Sequence, residues 1–211
     1  MAILKDISDA VIAGRDDEIA ALTEEALKSG TSAQAILDDG LLRGMAVVGI
    51  QFKKGDMFIP EVIASARAMQ VSMALLKPHF VAGDVKRGGK VILGTVKGDL
   101  HDLGKNLVGA MLEAAGFEVE DLGIDIPTQK FVTAVKERKP DVLGLSALLT
   151  TTMGTMKDVI EALQAAGVRN QVKIIVGGAP ISAQFASEIG ADGYGPDAMA
   201  AAEVAKKLVG A

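Results

Sequence analysis

The N-terminal part of the chain repeats apolar and polar positions with the period of a helix. From Pro60, a favoured first residue of a helix, apolar side chains recur every three or four residues. This stripe consists of Val62, Ala66, Met69, Met73, Leu76 and Phe80. An earlier segment begins with acidic residues and ends on Gly30, as a helix dipole and a C-cap favour. Four such segments with short connections predict a four-helix bundle over residues 1–82.

The helical pattern stops at a segment rich in glycine and charged residues. Pro78, Gly83, Gly88 and Gly89 interrupt the apolar stripe. Glycine and proline among mixed charges are typical of a connection between domains. Residues 83–89 are therefore predicted to be an interdomain linker.

Short apolar runs alternate with helical patterns over residues 90–211. The five strand candidates are residues 90–96, 118–123, 142–148, 173–178 and 191–195. Alternation of strands and helices indicates a parallel sheet with helices on both faces. We therefore predict a flavodoxin-like (Rossmann-type) α/β domain that binds ligands at the carboxyl ends of its strands.

The composition restricts the chemistry that these domains can carry. The chain has no cysteine, which excludes thiolate-held zinc, iron–sulfur clusters and a cysteine nucleophile. Its only histidines are His79 and His101, so a metal site must use one imidazole, carboxylates, or a metal that brings organic ligands. His79 follows Pro78 without a nearby carboxylate, and we interpret it as structural.

Charge and hydropathy exclude two classes of partner. A net charge of −5 with a single tyrosine argues against a nucleic-acid surface. No apolar run approaches the ~18 residues that a membrane span needs. The N-terminus carries charges where a signal peptide would be apolar. We expect a cytoplasmic protein without a membrane partner.

The first strand candidate leads into the stretch KGDLHDLGKN, residues 97–106. A phosphate-binding loop is excluded, because five residues rather than four separate Gly98 from Gly104 and no serine or threonine follows Lys105. Asp99 is close enough in sequence to bind one ring nitrogen of His101, which leaves the other directed outward and suits metal ligation. A macrocycle would supply the remaining ligands of such a metal.

Three elements of this domain resemble the signature of a known family. They are Asp99-x-His101-x-x-Gly104, then after forty-one residues Ser146-x-Leu148, and after twenty-eight more Gly177-Gly178. This pattern resembles base-off/His-on cobalamin-binding domains. Together with the helical bundle, it is similar to the corrinoid proteins of anaerobic methyltransferase systems and to the cobalamin module of methionine synthase.

The resemblance implies a role for each matching residue. His101 would be the lower axial ligand of cobalt in place of the cofactor's dimethylbenzimidazole, Asp99 would bind its other nitrogen, and Ser146 would extend this network. A side chain at Gly177 or Gly178 would block the slot of the nucleotide tail. Further candidates for cofactor contact are Asp102, Gly104, Leu148, Thr150, Thr151, Ala179, Tyr194, Gly195 and Pro196. In the helical half, Phe58 and Val62 would shield the methyl group on the upper face.

The function implied by the resemblance is that of a methyl carrier rather than a complete enzyme. Cobalt, as methylcobalamin, would accept a methyl group from a methylated donor through a substrate-specific methyltransferase. An acceptor methyltransferase would pass it to tetrahydrofolate or coenzyme M, and a reductive activase is a further expected partner.

Three other hypotheses remain open at this point. They are a cobalamin-dependent regulator, the small subunit of an adenosylcobalamin mutase, and a cofactor-free flavodoxin-like interaction domain. The last of these leaves the three-part motif unexplained.

Overall fold

A computed structural model describes residues 2–79 and 89–210. The chain divides into two compact units, Met1–Lys86 and Arg87–Ala211. The predicted linker, residues 83–89, lies outside the described residues except for Gly89. Among the described helices, none combines the length and the apolar character needed to cross a bilayer.

The described part of the first unit is helical throughout. Its elements are α1 (Ala2–Ile12), α2 (Asp16–Lys28), α3 (Ala33–Ala35), a π-helical turn (Ile36–Leu42), α4 (Arg43–Lys54), α5 (Ile59–Leu76) and a 3₁₀ turn (Lys77–His79). The backbone stays helical from α3 through the π-helical turn into α4, so these segments form one continuous helix. Residues 2–79 therefore contain the four helices that the sequence predicts.

Glycines allow α1 to approach the continuous helix closely. A Cβ atom on Gly40 would lie 2.9 Å from Cγ2 of Ile7, and one on Gly44 would lie 2.9 Å from the Ser8 carbonyl oxygen. Only glycine fits such distances without movement of the neighbouring helix. The π-helical turn that contains Gly40 was not predicted from the sequence.

Polar side chains are also buried in this unit. The Thr23 and Ser72 hydroxyls, both fully buried, form a 2.7 Å hydrogen bond that joins α2 to α5. The Thr23 hydroxyl lies 2.7 Å from the Ile19 carbonyl oxygen, as expected of a helical threonine. The predicted apolar stripe on α5 is buried at Val62, Ala66, Met69 and Leu76.

The second unit alternates strands and helices. Its strands are β1 (Lys90–Thr95), β2 (Glu118–Asp121), β3 (Val142–Ser146), β4 (Lys173–Gly177) and β5 (Gly193–Gly195). Its helices are α6 (Leu103–Ala114), α7 (Thr128–Arg138), α8 (Gly154–Ala165), α9 (Ala183–Glu188) and α10 (Ala198–Val209), with a 3₁₀ turn at Arg169–Gln171. Each strand lies within one of the five segments predicted from the sequence.

The five strands form one parallel sheet in the order β2-β1-β3-β4-β5. This order confirms the predicted flavodoxin-like fold. Helix α6 packs beside α10, and α7 packs beside α8. The strand order reverses between β1 and β3, and ligands bind at the carboxyl ends of the strands around such a switch point.

Candidate functional site

The turn after β1 contains a carboxylate that is completely removed from solvent. Asp99 is 0% exposed, although an unpaired buried charge is strongly unfavourable. Its Oδ2 accepts hydrogen bonds from the Thr152 hydroxyl at 2.7 Å and from the N–H groups of Leu148 at 2.7 Å and Leu149 at 3.2 Å. Its Oδ1 accepts from the His101 N–H at 3.1 Å and from the ring at 2.7 Å. These five hydrogen bonds stabilise the buried carboxylate.

The same contacts decide the protonation state of Asp99. Burial alone would raise its pKa, but hydrogen bonds from the Thr152 hydroxyl, the His101 ring and the backbone N–H groups of Leu148 and His101 lower it. The net result is a pKa well below the usual range of an aspartate. Asp99 is therefore an anion that can only accept hydrogen bonds.

The ionised Asp99 fixes the orientation of the His101 imidazole. Because the carboxylate can only accept, the ring nitrogen 2.7 Å from it, Nδ1, carries a hydrogen. In the neutral ring the lone pair is then on Nε2. The His101 side chain is 51% exposed, so this lone pair is open to a ligand. A carboxylate–histidine pair of this kind orients and strengthens metal-binding imidazoles.

The hydroxyl that contacts Asp99 belongs to Thr152 and not to Ser146, the residue expected in this network. Thr152 is 6% exposed, whereas Thr150 and Thr151 are exposed. Ser146 ends β3, in register with Thr95 on β1. The sequence offers three consecutive threonines, and only the turn before α8 determines which of them points inward.

A cavity of about 670 Å³ lies at the carboxyl edge of the sheet, beside His101 and between α6 and α10. Its lining includes many predicted site residues: His101, Asp102, Gly104, Ser146, Leu148, Gly177, Gly178, Ala179, Gly195 and Pro196. Leu100, Leu103 and Leu148 are 67%, 63% and 43% exposed, which is unusual for large apolar side chains outside a binding surface.

Other predicted residues lie away from this cavity. Thr150 and Thr151 are not among its lining residues, and neither is Tyr194, which packs against the hydrophobic core of the sheet. In the helical unit, Phe58 is 68% exposed while Val62 is 0% exposed. Val62 presents no surface to a ligand in this unit, whereas Phe58 does, and the shielding role of Phe58 stays a prediction.

Glycine is found at the positions of the site for two different reasons. Gly178 has φ +132°, and an added Cβ would lie 1.8 Å from the Ala147 carbonyl oxygen. At Gly177 an added Cβ would lie 2.9 Å from the Gly195 carbonyl oxygen. The protein's own backbone therefore requires both glycines, beyond any slot for a ligand. Gly104 has no atom within 4 Å of its Cβ position, so the fold leaves open space there.

A buried lysine, Lys105, also lines the cavity and was not predicted as a site residue. Lys105 is 4% exposed, and its Nζ donates to the Asp121 carboxylate and to the Asn106 side-chain oxygen. The ion pair ties the start of α6 to the end of β2 and neutralises the lysine charge. A charged residue with an apolar stem suits this position because the stem covers the cavity wall.

These features fit a large, mostly apolar ligand that carries a metal. His101 offers one nitrogen lone pair, the exposed leucines offer apolar contact, and Gly104 leaves room for close approach. The adjoining cavity can hold a further part of the ligand. The corrinoid that the sequence resemblance implies would fit these residues, because its macrocycle supplies the other ligands of the metal.

Comparison with protein families assigns both halves of the chain. Residues 89–203 match a family model described as a B12 binding domain. Residues 3–77 match a second model with the same description. The site at the carboxyl edge of the sheet lies within the first of these matches.

Known relatives agree with this assignment. A corrinoid protein of Desulfitobacterium hafniense is 43% identical over 100% of this chain and 99% of its own length. Dimethylamine corrinoid protein 3 of Methanosarcina acetivorans is 41% identical over 98% of this chain and 97% of its own. The methanol:cobalamin methyltransferase complex of Methanosarcina barkeri contains a chain that matches with a TM-score of 0.90 and 33% identity, covering 99% of this chain and 80% of that one. The protein belongs to the corrinoid protein family, built on B12-binding domains.

Proposed function

We propose that this protein is the methyl carrier of a corrinoid-dependent methyltransferase system. One methyltransferase transfers a methyl group from a small methylated donor to the carrier, and a second delivers it to tetrahydrofolate or coenzyme M. Relatives named for dimethylamine and a matching methanol:cobalamin methyltransferase complex support donors of this size. The observation that carries the proposal is the Asp99–His101 pair, whose imidazole lines the cavity.

The corrinoid, when bound, supplies a cobalt ion that holds the methyl group. His101 would hold this metal through Nε2, with the cofactor in the base-off/His-on state. Asp99 keeps the proton on Nδ1 and increases the basicity of the ring. Thr152 and the N–H groups of Leu148 and Leu149 keep Asp99 ionised.

Other residues bind the remaining parts of the cofactor. Leu100 and Leu103 would contact its apolar surface, and the cavity lined by Gly104 and Ser146 would hold its nucleotide tail. In the helical unit, Phe58 is exposed, as a residue that shields a bound methyl group would be. A reductive activase restores the cofactor when it is oxidised.

Reconstituted methyl transfer tests this function. The protein is loaded with cobalamin, reduced, and mixed with a methyltransferase encoded beside its gene and with methanol, dimethylamine or trimethylamine. We expect one donor to methylate the bound cofactor, seen as a change in its visible spectrum. Free cobalamin at the same concentration is the control and should react far more slowly.

Three results would contradict the carrier function. The first is equal methylation when the protein is omitted. The second is a preference for adenosylcobalamin over methylcobalamin, together with light-driven loss of the adenosyl group and a change in oligomeric state, which would favour a regulator. Adenosylcobalamin preference without a response to light would favour a mutase subunit.

A further inference from the structure

Two side chains hold the backbone of the His101 loop without touching the imidazole. The first is Thr95, the last residue of β1, which is fully buried. Its hydroxyl donates a 2.8 Å hydrogen bond to the His101 carbonyl oxygen. The Thr95 backbone is itself anchored, because its N–H donates to Gly123 and its carbonyl oxygen accepts from Ile126, both at 3.0 Å. One buried hydroxyl thus connects the carboxyl end of β1 to the backbone of His101.

The second side chain is Asp125, on the loop between β2 and α7. Its Oδ1 accepts a 2.7 Å hydrogen bond from the Gly98 N–H, and its own N–H donates to the Asp99 carbonyl oxygen at 3.0 Å. Asp125 has φ 51°, a left-handed conformation that aspartate tolerates better than most residues with a side chain. In this conformation Asp125 makes two hydrogen bonds to the loop, one with the Gly98 N–H and one with the Asp99 carbonyl oxygen.

From these contacts we infer that Thr95 and Asp125 are positioning residues for the metal-binding histidine. Together they hold the Gly98 N–H, the Asp99 carbonyl and the His101 carbonyl, which lie on both sides of the Asp99 side chain. The loop is therefore ordered before a ligand binds. The conformational entropy of the loop is lost when the protein folds, so ligand binding does not have to offset it. The effect of these residues on ligation of cobalt rests on the proposed function, whereas their effect on the order of the loop does not.

Each positioning residue has a conservative variant that keeps the contact and another that removes it. Thr95→Val preserves the branched shape but leaves the His101 carbonyl without its donor, and Thr95→Ser keeps the hydroxyl. Asp125→Ala removes the acceptor of the Gly98 N–H. Asp125→Asn keeps an acceptor oxygen and tolerates the left-handed conformation.

Amide hydrogen exchange in the protein without cofactor gives the first measurement. In Asp125→Ala we expect the Gly98 amide to exchange about fivefold to tenfold faster, the effect of losing one hydrogen bond. In Thr95→Val the His101 N–H keeps its bond to Asp99, so we expect a smaller increase there, from the loss of the restraint on the His101 carbonyl oxygen, while amides in the centre of β3 stay unchanged. The Ser and Asn variants should match the wild type. Unchanged exchange at Gly98 and His101 would overturn the positioning role, whether or not a corrinoid binds.

Electron paramagnetic resonance of the reduced, cobalamin-loaded protein gives the second measurement. The spectrum reports the ratio of cofactor with and without a histidine ligand. We expect Thr95→Val and Asp125→Ala to lower this ratio about threefold to tenfold, with recovery in Thr95→Ser and Asp125→Asn. A faster-exchanging loop with an unchanged ratio would overturn the effect on ligation. Absence of corrinoid from the wild type would contradict the proposed function, and the exchange rates alone would then decide the role of the two residues.

Discussion

The helical bundle and the carboxyl edge of the sheet both bury polar groups and contain glycines, but they use them differently. In the bundle, the Thr23 and Ser72 hydroxyls bind each other, and Gly44 makes room for α1. At the sheet edge, five donors fill the capacity of Asp99, yet the orientation they give His101 leaves the Nε2 lone pair open. Gly104 likewise faces open space.

This difference separates residues that the fold needs from residues that a ligand needs. A glycine against a neighbouring backbone or a hydroxyl paired with another hydroxyl is explained by packing alone. A half-exposed imidazole held by a buried anion is not, because ordering it is unfavourable and the sheet gains little from it. The free lone pair of His101 and the open space at Gly104 both lie at the carboxyl edge of the sheet. Substitutions in the bundle and at this edge should therefore have different effects.

The largest effect is expected from Asp99→Ala. This change removes the acceptor of five donors, among them the buried Thr152 hydroxyl. We expect the free energy of unfolding to fall by about 3–4 kcal/mol. The exposed Asp102, whose carboxylate accepts a single hydrogen bond from Asn106, is the matched control, and Asp102→Ala should cost no more than about 1 kcal/mol. Urea denaturation of both variants measures the difference, and equal effects would contradict the role given to Asp99.

The stability that Asp99 contributes should depend on pH. The pKa of Asp99 is lowered in the folded protein, so its contribution is complete above the unfolded value of about 4. It is lost as the pH falls below that value towards the folded pKa. We expect the wild type to lose about 2–3 kcal/mol more than Asp99→Asn over this acid range. Parallel curves of unfolding free energy against pH for the two proteins would refute this prediction.

Adding a methyl group to two glycines should have opposite effects. Gly44→Ala places a carbon 2.9 Å from the Ser8 carbonyl oxygen, and we expect a loss of about 2 kcal/mol. Gly104→Ala meets no atom within 4 Å and lies in the first turn of α6, so stability should stay equal or rise by up to about 1 kcal/mol.

Corrinoid affinity should show the reverse order for the same two variants. Gly104→Ala should bind cobalamin more weakly, because its methyl group occupies cavity space, and Gly44→Ala should bind as the wild type does. Thermal unfolding and equilibrium binding measure the two properties separately. A destabilised Gly104→Ala variant would show that the fold itself needs this glycine.

The smallest effect is expected in the bundle core. Thr23→Val leaves the buried Ser72 hydroxyl without this partner and should cost about 1 kcal/mol, and Ser72→Ala should cost less because the Thr23 hydroxyl keeps its bond to the Ile19 carbonyl oxygen. The double variant should cost less than the sum, because both polar groups are then gone. These values should not change between pH 7 and pH 3, whereas the contribution of Asp99 declines once the pH falls below about 4. Additive costs would show that the two hydroxyls are not coupled.

The order of strands and helices could be predicted from the sequence because it depends on local patterns. Continuous apolar runs such as residues 90–96 give buried parallel strands, and the stripe on α5 gives a buried helix face. The Asp99–His101 pair could be predicted as well, since both residues belong to one turn.

Contacts between distant segments could not be predicted in this way. Thr152 reaches Asp99 across 53 positions, and its neighbours Thr150 and Thr151 have the same chemistry. The close approach of Gly178 to Ala147 likewise follows from strand packing, which no local pattern records. For this reason the sequence motif predicts Ser146 as the hydroxyl of the Asp99 network, whereas the structure has Thr152 in that place.

The central claim is that His101, held by Asp99, is a ligand of the corrinoid cobalt. Electron paramagnetic resonance of the reduced, cobalamin-loaded protein with ¹⁵N-labelled histidine tests it directly. A histidine ligand converts the threefold nitrogen splitting of each cobalt line into a twofold splitting, and this should persist in His79→Ala and vanish in His101→Ala. An unchanged threefold splitting in the labelled wild type would show that the cofactor keeps its own base, and would contradict the account.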